Sequence, residues 1–486
     1  MTFTDKPIVP PGKRLHFAGI GGTAMVAGAR LALEAGCEVR GSDGPLYPPA
    51  SRMVAALGVS VAEGYAAANL DWNPDSVIIG NALSRGNPEV EAVLSRRLRY
   101  LSLPEWLKEN VLRQRRPVAI CGTHGKTTTT ALTAHVLDRG MPGVGYLIGG
   151  DALGFPFSAR LGNPGAPFVI EGDEYDTAFF DKRAKFLHYI PEIAVVTSIE
   201  FDHGDIYKDL GEIETAFQRL LRQIPGEGLA LLCADNHALF LETHAFSRVE
   251  TYGLERRADW RAAMKPFPNG VITLEIWHRE TRWGELTPSL FGRHNMQNTL
   301  AAVAVAATLG MGAADIAAAV NDFPGVRRRL EVFLEADGAV FVDDFAHHPT
   351  AIRETIAAAR TRWPERRLRA VFEPRSNTTV TNRFQKELEE AFSGADEVCL
   401  GPVHRGGAIP DADRLDTAGL VQNLCRSGVS AQAFDAVPPI AEFIAETVGN
   451  NDLVLIMSNG AFGGLYAMLR NRFPKGSGTD LSADGS

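Results

Sequence analysis

Cysteine is scarce in this chain. The 486 residues hold five, Cys37, Cys121, Cys233, Cys399 and Cys425, scattered, odd in number and without a Cys-x-x-Cys pair. That pattern gives no disulfide framework and matches reduced packing cysteines of a cytosolic protein. A basic excess is also missing. Lys and Arg total 49 against 58 Asp and Glu, a formal charge of −9, which argues against non-specific nucleic-acid binding. No window reaches the ~18 uninterrupted apolar residues of a membrane span, so membrane insertion is not expected. The opening Met1-Thr-Phe-Thr-Asp-Lys-Pro-Ile-Val-Pro lacks a basic stretch followed by an apolar one, so export is not expected and a cytoplasmic location is. No repeat recurs at a short fixed period.

What the sequence has is enough apolar side chain for real cores, 45% hydrophobic residues, which excludes a wholly disordered chain. At roughly 150 residues per domain, its length suggests about three domains. Strand and helix patterns alternate from the start. Arg14-Leu-His-Phe-Ala-Gly-Ile reads as a strand, Ala24 to Ala35 as a packed helix, Cys37 to Asp43 and Ser76 to Asn81 as further strands. Such alternation predicts a parallel sheet with both faces covered. Arg113-Gln-Arg-Arg116-Pro117 reads as a solvated linker. Beyond it, Val118-Ala-Ile-Cys, Phe168-Val-Ile-Glu and Ile193-Ala-Val-Val-Thr are strand candidates, with a helix after the first running through Leu137. Phe291-Gly-Arg-His-Asn leads into an Ala-rich helix ending at Thr308. A third unit beginning near Arg327 offers strands at Val340-Phe-Val-Asp-Asp, Arg369-Ala-Val-Phe-Glu, Glu397-Val-Cys-Leu and Leu453-Val-Leu-Ile-Met. The Gly- and Ser-rich tail from Lys475 is expected to fray.

The strongest chemical signal is Gly122-Thr123-His124-Gly125-Lys126-Thr127-Thr128. A strand, a glycine-rich turn and a helix start gather backbone N–H groups and a helix dipole around one point, which suits a polyphosphate. Lys126 matches the charge of the β- and γ-phosphates, and the Thr127 hydroxyl is placed for Mg²⁺. The loop is two residues shorter than the full G-x-x-x-x-G-K-[ST] pattern, whose first glycine would fall at Ile120. Gly19-Ile-Gly21-Gly22-Thr23-Ala24 matches G-x-G-x-x-A after a strand, with Asp43 where a ribose-binding acid is expected. This suits a nicotinamide dinucleotide or another nucleotide diphosphate. Glu171-Gly-Asp-Glu174 and Glu200-Phe-Asp202-His203 each follow a strand, where carboxylates complete a Mg²⁺ shell. His203 is open between metal ligand and water-orienting group. Asp343-Asp344-Phe-Ala-His347-His348-Pro349 fits no standard zinc spacing and suits a metal, a phosphate or an amine. Arg327-Arg-Arg329, just after a Pro324-Gly325 turn, suits phosphate recognition by a fixed Arg fork.

Taken in order, these motifs resemble the Mur ligases, ATP-dependent amide-forming enzymes of peptidoglycan assembly, over nearly the whole chain from Gly19 to Gly464. The resemblance implies an α/β fold of three domains. Residues 1–114 would be a UDP-sugar-binding Rossmann-like domain, 115–325 a central P-loop-type ATP-binding domain, and 326–486 a Rossmann-like domain presenting the amine. It implies ATP and Mg²⁺ as cofactors, with Thr127, Glu171 and His203 on the metal and the choice between Glu171 and Glu174 open. Lys126, His203, His347, His348 and Arg327 would be catalytic. Asn295, Arg329 and Asp344 would join the Gly122–Thr128 loop on the nucleotide. Gly19, Gly21, Gly22, Thr23, Ser42, Asp43, Asn81, Arg375, Asn377 and Asn459 would bind the other substrates. Two kinds of member take UDP-N-acetylmuramate as the carboxylate: one adds L-alanine, the other attaches a recycled murein tripeptide, L-Ala-γ-D-Glu-meso-diaminopimelate. Tyr47-Pro-Pro, Gly80-Asn-Ala-Leu-Ser-Arg-Gly-Asn-Pro88, Tyr175 to Arg183, Glu373-Pro-Arg-Ser-Asn-Thr378 and Met457-Ser-Asn-Gly-Ala-Phe-Gly-Gly464 resemble the second kind. L-alanine-adding members more usually show Asp-Asp-Tyr-Gly-His-His-Pro and Gln-Pro-His-Arg, where this chain has Phe345-Ala346 and Glu373-Pro-Arg375-Ser376. Gly172 stands where the family often has Ala, a swap expected to leave the chemistry alone. A monomer or weak homo-oligomer is expected.

Overall fold

The computed structural model describes residues 12–46, 50–202, 204, 206–266, 272–474 and 476–477. His203, the Tyr47-Pro-Pro stretch and nearly all of the tail therefore lie outside the described residues. Each of three main sheets draws on its own stretch of chain. The first contains β1 (Arg14–Ala18), β2 (Glu38–Asp43), β3 (Ser60–Glu63), β4 (Ser76–Ile79) and β5 (Tyr100–Ser102) in the order β3-β2-β1-β4-β5. Every pairing is parallel, as the strand–helix alternation predicts. The order turns back between β1 and β4, which opens a crevice at their carboxyl ends.

The second sheet is larger. It runs from β6 (Arg116–Cys121), β7 (Gly145–Leu147), β8 (Ala159–Arg160) and β9 (Pro167–Gly172) to the strands beyond a small hairpin, β10 (Asp176–Ala178) and β11 (Asp181–Ala184). Those are β12 (Ile193–Val196), β13 (Leu229–Cys233), β14 (Arg248–Gly253), β15 (Trp260–Pro266), β16 (Ile272–His278) and β17 (Thr281–Leu286), giving the order β17-β16-β15-β14-β13-β12-β6-β9-β7-β8. β6 lies between β12 and β9, all parallel, so the loop after β6 opens beside the loops after β9 and β12. The antiparallel ribbon β15–β17 is an addition that the apolar runs did not announce, because its strands alternate charge with hydrophobe. The third sheet holds β18 (Glu331–Ala336), β19 (Ala339–Asp344), β20 (Arg367–Phe372), β21 (Glu397–Leu400), β22 (Ser430–Ala433) and β23 (Asp452–Met457), ordered β18-β19-β23-β20-β21-β22 with only β18 antiparallel.

Two helices dominate the middle core. Helix Lys126–Gly140 is buried from Thr128 to Leu137, and helix Arg293–Thr308 from Met296 to Ala306 apart from Gln297. Both are buried nearly all round because they fill the space between sheet and neighbouring helices, and their alanines let the axes approach.

The stretch Arg113–Pro117 is not a solvated linker. Arg115 is buried, and its guanidinium donates to the carbonyls of Leu161, Val111 and Gly162 at 2.6, 2.9 and 2.9 Å. Burial pushes its pKa down to about 10. Arg116 opens β6 and pairs with Glu192 at 2.6 Å, half-exposed. The polar run is a clamp: its guanidinium satisfies carbonyls that would otherwise be buried without donors. Replacing Arg115 by Ala removes a charged donor from three carbonyls and is expected to cost about 2–4 kcal/mol of stability. Arg116→Ala loses only a partly exposed pair, worth under about 1 kcal/mol. Thermal midpoints of the two variants measure the difference, and equal midpoints would contradict the clamp.

Candidate active site

The loop after β6 is shaped by backbone geometry. Gly122 has φ 131°, and a Cβ there would lie 2.2 Å from Thr197 Oγ1 and 2.8 Å from the Ser198 nitrogen. Only glycine fits between β6 and the segment after β12. Gly125 then caps helix Lys126–Gly140, so the first-turn N–H groups point out of the loop. Lys126 Nζ lies back across its own loop, donating to Gly122 O at 2.7 Å and to Glu174 Oε2 at 2.7 Å. Burial alone would lower the pKa of this ammonium. Glu174 and Asp173 outweigh that and raise it, so Lys126 is charged at neutral pH. Thr127 Oγ1 donates to Glu171 Oε1 at 3.0 Å, and Gly149 N donates to Glu171 Oε2 at 2.8 Å. Burial pushes the Glu171 carboxyl up against the pull of Lys126. Glu171, not Glu174, is therefore the acid beside the Thr127 hydroxyl. Thr128 is buried and serves packing.

Around this centre the structure brings some expected residues together and turns others away. Thr123 Oγ1 accepts from Glu200 N at 2.9 Å, and His124 Nε2 lies 3.4 Å from Glu200 Oε2. Asn295 sits in the first turn of helix Arg293–Thr308, bonded to Phe291 O and Asn298. Arg327 pairs with Asp151 and Glu331, both at 3.0 Å. Arg329 is half-buried, its guanidinium over the Phe345 ring at 5.1 Å. Asp344 accepts from Leu330 N, Ala346 N and Thr355 Oγ1. Its carboxylate holds the turns of the third unit together, a structural role the sequence did not suggest. His347 Nδ1 donates to Phe345 O at 3.0 Å, leaving Nε2 with its lone pair. His348 caps helix Pro349–Arg362 and packs at 4.8 Å from the His124 ring. Burial lowers both histidines to about 4, so both are neutral at pH 7.

In the first unit, Gly19 N donates to Ser42 O and Gly21 N to Asp43 Oδ2 at 2.6 Å. Asp43 Oδ1 accepts from Tyr65 and from Gly44 N, so Asp43 braces the glycine turn with both oxygens. Ser42 is fully buried and donates to Glu89 at 2.6 Å in a network with His16 and Asn69. Its side chain faces the core, not the crevice, while Gly22 and Thr23 stand exposed at the crevice. Asn81 donates to Asp176 at 3.1 Å, joining the first unit to the second. In the third unit, Arg375 lies 3.3 Å from Glu373 and 3.4 Å from His404, Asn377 is exposed, and Asn459 Oδ1 is buried with no hydrogen-bond partner. A cavity of about 890 Å³ runs through the middle, lined by Thr23, Thr127, Glu171, Arg327, Arg329 and Gly460 among others.

Some contacts were missed in the sequence. Gly149 reaches Glu171 from a loop with no charge pattern. Asp202 accepts from Thr378 at 2.8 Å across the seam between units, both buried. The one available signal was the acidic Glu200-Phe-Asp202 run.

Three family descriptions match the chain: "Mur ligase family, catalytic domain" over residues 14–115, "Mur ligase middle domain" over 120–306, and "Mur ligase, glutamate ligase domain" over 328–460. The chain belongs to the Mur ligase family. It is 41% identical over 95% of its length to the UDP-N-acetylmuramate–L-alanyl-γ-D-glutamyl-meso-2,6-diaminoheptandioate ligase of Escherichia coli, covering 98% of that protein. It is 35% identical over 96% of its length to a UDP-N-acetylmuramate–L-alanine ligase of Halorhodospira halophila, covering 95% of it. The crystal structure of a murein peptide ligase from Psychrobacter arcticus matches with a TM-score of 0.71 at 34% identity, over 95% of this chain and 99% of that one. This Mur ligase is accordingly an ATP-dependent amide-forming enzyme with the three-unit α/β fold.

Gly172 is closely packed: a Cβ there would lie 2.2 Å from Cys121 Sγ, so an alanine in this chain requires the Cys121 side chain to move. Both residues border the site, one before Gly122 and the other after Glu171. Gly172→Ala is expected to overpack the β6–β9 seam by about 1–3 kcal/mol and to displace Glu171, lowering kcat. Adding Cys121→Ala should restore most of the loss; ATP-dependent phosphate release by both variants reads this, and a double variant no better than the single would refute it. Lys126→Ala removes the charge nearest the loop and should lower kcat about 10²–10³-fold. Turnover within tenfold of the parent would disqualify Lys126 from its role.

Proposed function

We propose that this Mur ligase joins L-Ala-γ-D-Glu-meso-diaminopimelate to UDP-N-acetylmuramate, consuming ATP, in peptidoglycan recycling. The observation that carries the reading is the Thr127–Glu171 pair on the wall of a cavity lined by all three units, with the Lys126–Glu174 ion pair beside it. A carboxylate does not acylate an amine, because oxide is a poor leaving group. Transfer of the γ-phosphoryl group makes an acyl phosphate, and the peptide amine then displaces phosphate.

The chain's residues divide this work. Lys126 leaves Glu174 for the phosphates and offsets their charge in the transfer. The N–H groups after Gly125 hold the remaining oxygens. Thr127 and Glu171 supply the hard oxygen pair that suits Mg²⁺, with His203 assigned as a third ligand; when bound, the ion adds positive charge beside the transferring group. His347 presents an unprotonated Nε2 at the seam and can accept a proton there. Closure of the third unit on the second excludes water from the acyl phosphate. Gly19, Gly21, Gly22, Thr23 and Asn81 form the UDP-sugar end of the reading.

For the amine, Arg375 and Asn459 lie at the carboxyl ends of β20 and β23. Arg375 has two long contacts, 3.3 Å to Glu373 and 3.4 Å to His404, and Asn459 keeps an unpaired oxygen. Arg375 suits a peptide carboxylate, and the Asn459 oxygen suits an N–H group. Free L-alanine would leave these groups unpaired. The units are assigned as 1–114, 115–325 and 326–486. No helix among the described residues is long and apolar enough to cross a membrane, and we assign the enzyme to the cytoplasm as a monomer or weak homo-oligomer.

Phosphate release measured with ATP, Mg²⁺ and UDP-N-acetylmuramate should depend on the amine, and kcat/KM for the tripeptide should exceed that for L-alanine by at least ~10². Arg375→Ala should raise KM for the tripeptide about tenfold or more while sparing ATP and UDP-N-acetylmuramate. Equal use of L-alanine by the parent enzyme would replace this reading with that of an L-alanine-adding ligase.

A further inference from the structure

Three groups from separate elements converge on the seam between the second and third units. His124 comes from the phosphate loop, Glu200 from the segment after β12, and His348 from the head of helix Pro349–Arg362. One ligand atom of each lies within 4.8 Å of the others. His124 Nε2 is 3.4 Å and His348 Nδ1 3.7 Å from the same oxygen, Glu200 Oε2. Bonds of about 2.0–2.2 Å in a tetrahedral zinc site set neighbouring donors about 3.3 Å apart. Two of the three pairs are thus within a few tenths of an ångström of that spacing, and the third needs to close by at most about 1.5 Å.

The protonation states suit ligation. Burial keeps His348 neutral near pH 7. Its Nε2 has no hydrogen-bond partner, and the long 3.3 Å bond that Nδ1 accepts from Thr350 N is the one a metal on Nδ1 would displace. Burial pushes Glu200 up, but the bonds from His124 and Thr350 outweigh that and bring it to about 2, so it is a carboxylate. Thr350 Oγ1 donates to Oε2 at 2.7 Å and orients it, as outer hydrogen bonds orient metal ligands.

We propose that His124, Glu200 and His348 form a site for a transition-metal dication of the zinc class. Two imidazoles and one carboxylate select Zn²⁺, Co²⁺ or Ni²⁺ over Mg²⁺, so the site differs in chemistry as well as place from the oxygen pair of Thr127 and Glu171. Because one ligand comes from the third unit and two from the second, a metal there fastens the units together. Turnover needs the seam to open for release of products, and zinc is therefore an inhibitor. The inhibition clause rests on the ligase reading, whereas the binding site does not.

The test is direct titration of the metal-free full chain, without nucleotide or Mg²⁺, with Co²⁺ followed by its visible absorption and then displaced by Zn²⁺. One equivalent should bind with the intense spectrum of a four- or five-coordinate ion, and zinc should raise the thermal midpoint. Glu200→Gln and His348→Gln should each weaken binding at least tenfold and abolish the rise in midpoint, while Glu171→Gln should leave both unchanged. If one of the two fails to fold, the other, together with His124→Gln, decides. No stoichiometric binding, binding that survives these substitutions, or binding lost with Glu171→Gln overturns the site. Zinc that binds as expected without slowing tripeptide ligation overturns the inhibition alone, and absence of ligation in zinc-free enzyme counts against the ligase reading while leaving the site standing.

Discussion

The Lys126 ammonium organises the centre of this enzyme. A charge withdrawn from water is tolerated only when it is paired and hydrogen-bonded, and Lys126 meets that condition through Glu174 and the Gly122 carbonyl. Several neighbouring features follow. Tyr207 donates to the Glu174 carbonyl at 2.6 Å and Lys185 to Asp173 at 2.6 Å, so the acidic segment after β9 is held from both sides. Glu171, the one acid there turned to Thr127, then faces the cavity. A loop that stores its lysine on a carboxylate has a ready partner to exchange when a polyphosphate arrives.

The sheets explain why the site lies where three stretches of chain meet. The loop after β6 opens between those after β9 and β12, and the third unit faces it with the strand-end groups of β19, β20 and β23. Each unit supplies carboxyl ends of parallel strands, where backbone donors and helix starts converge. Arg115 anchors the passage from the first unit into the second, and Asn81 with Asp176 adds a polar tie. Arg327, paired with Asp151 and Glu331, does the same for the passage into the third.

Most of this frame was legible in the sequence, because apolar runs ending in glycine or acid mark buried strands and their loops. The Gly122–Thr128 loop and the Glu171 strand end were legible because their chemistry is local. What escaped depends on contacts between distant residues. Arg115 looks like a solvent-facing charge until the carbonyls of residues 161 and 162 are seen around it. Ser42 and Asp344 sit in motif positions yet spend their polar atoms inside the fold, on Glu89 and on the turns after β19. Gly172 reads as a neutral change from alanine unless the sulfur of Cys121 is known to fill the space. The β15–β17 ribbon alternates polar and apolar residues, which suits its partly exposed faces but gives no continuous apolar signal.

Besides the Arg327–Asp151 pair at the passage between them, the second unit reaches the third through the short segment Glu200 to Asp202, which bonds to Thr350 and Thr378. Such bonds contribute about 1 kcal/mol each, so separating them costs on the order of a tenfold to hundredfold change in population. That places the engaged and released arrangements within reach of ordinary ligand affinities: a substrate that binds the engaged state a few hundred times more tightly reverses their balance. With seam bonds of this size, what lies in the cleft can shift the balance between the two arrangements.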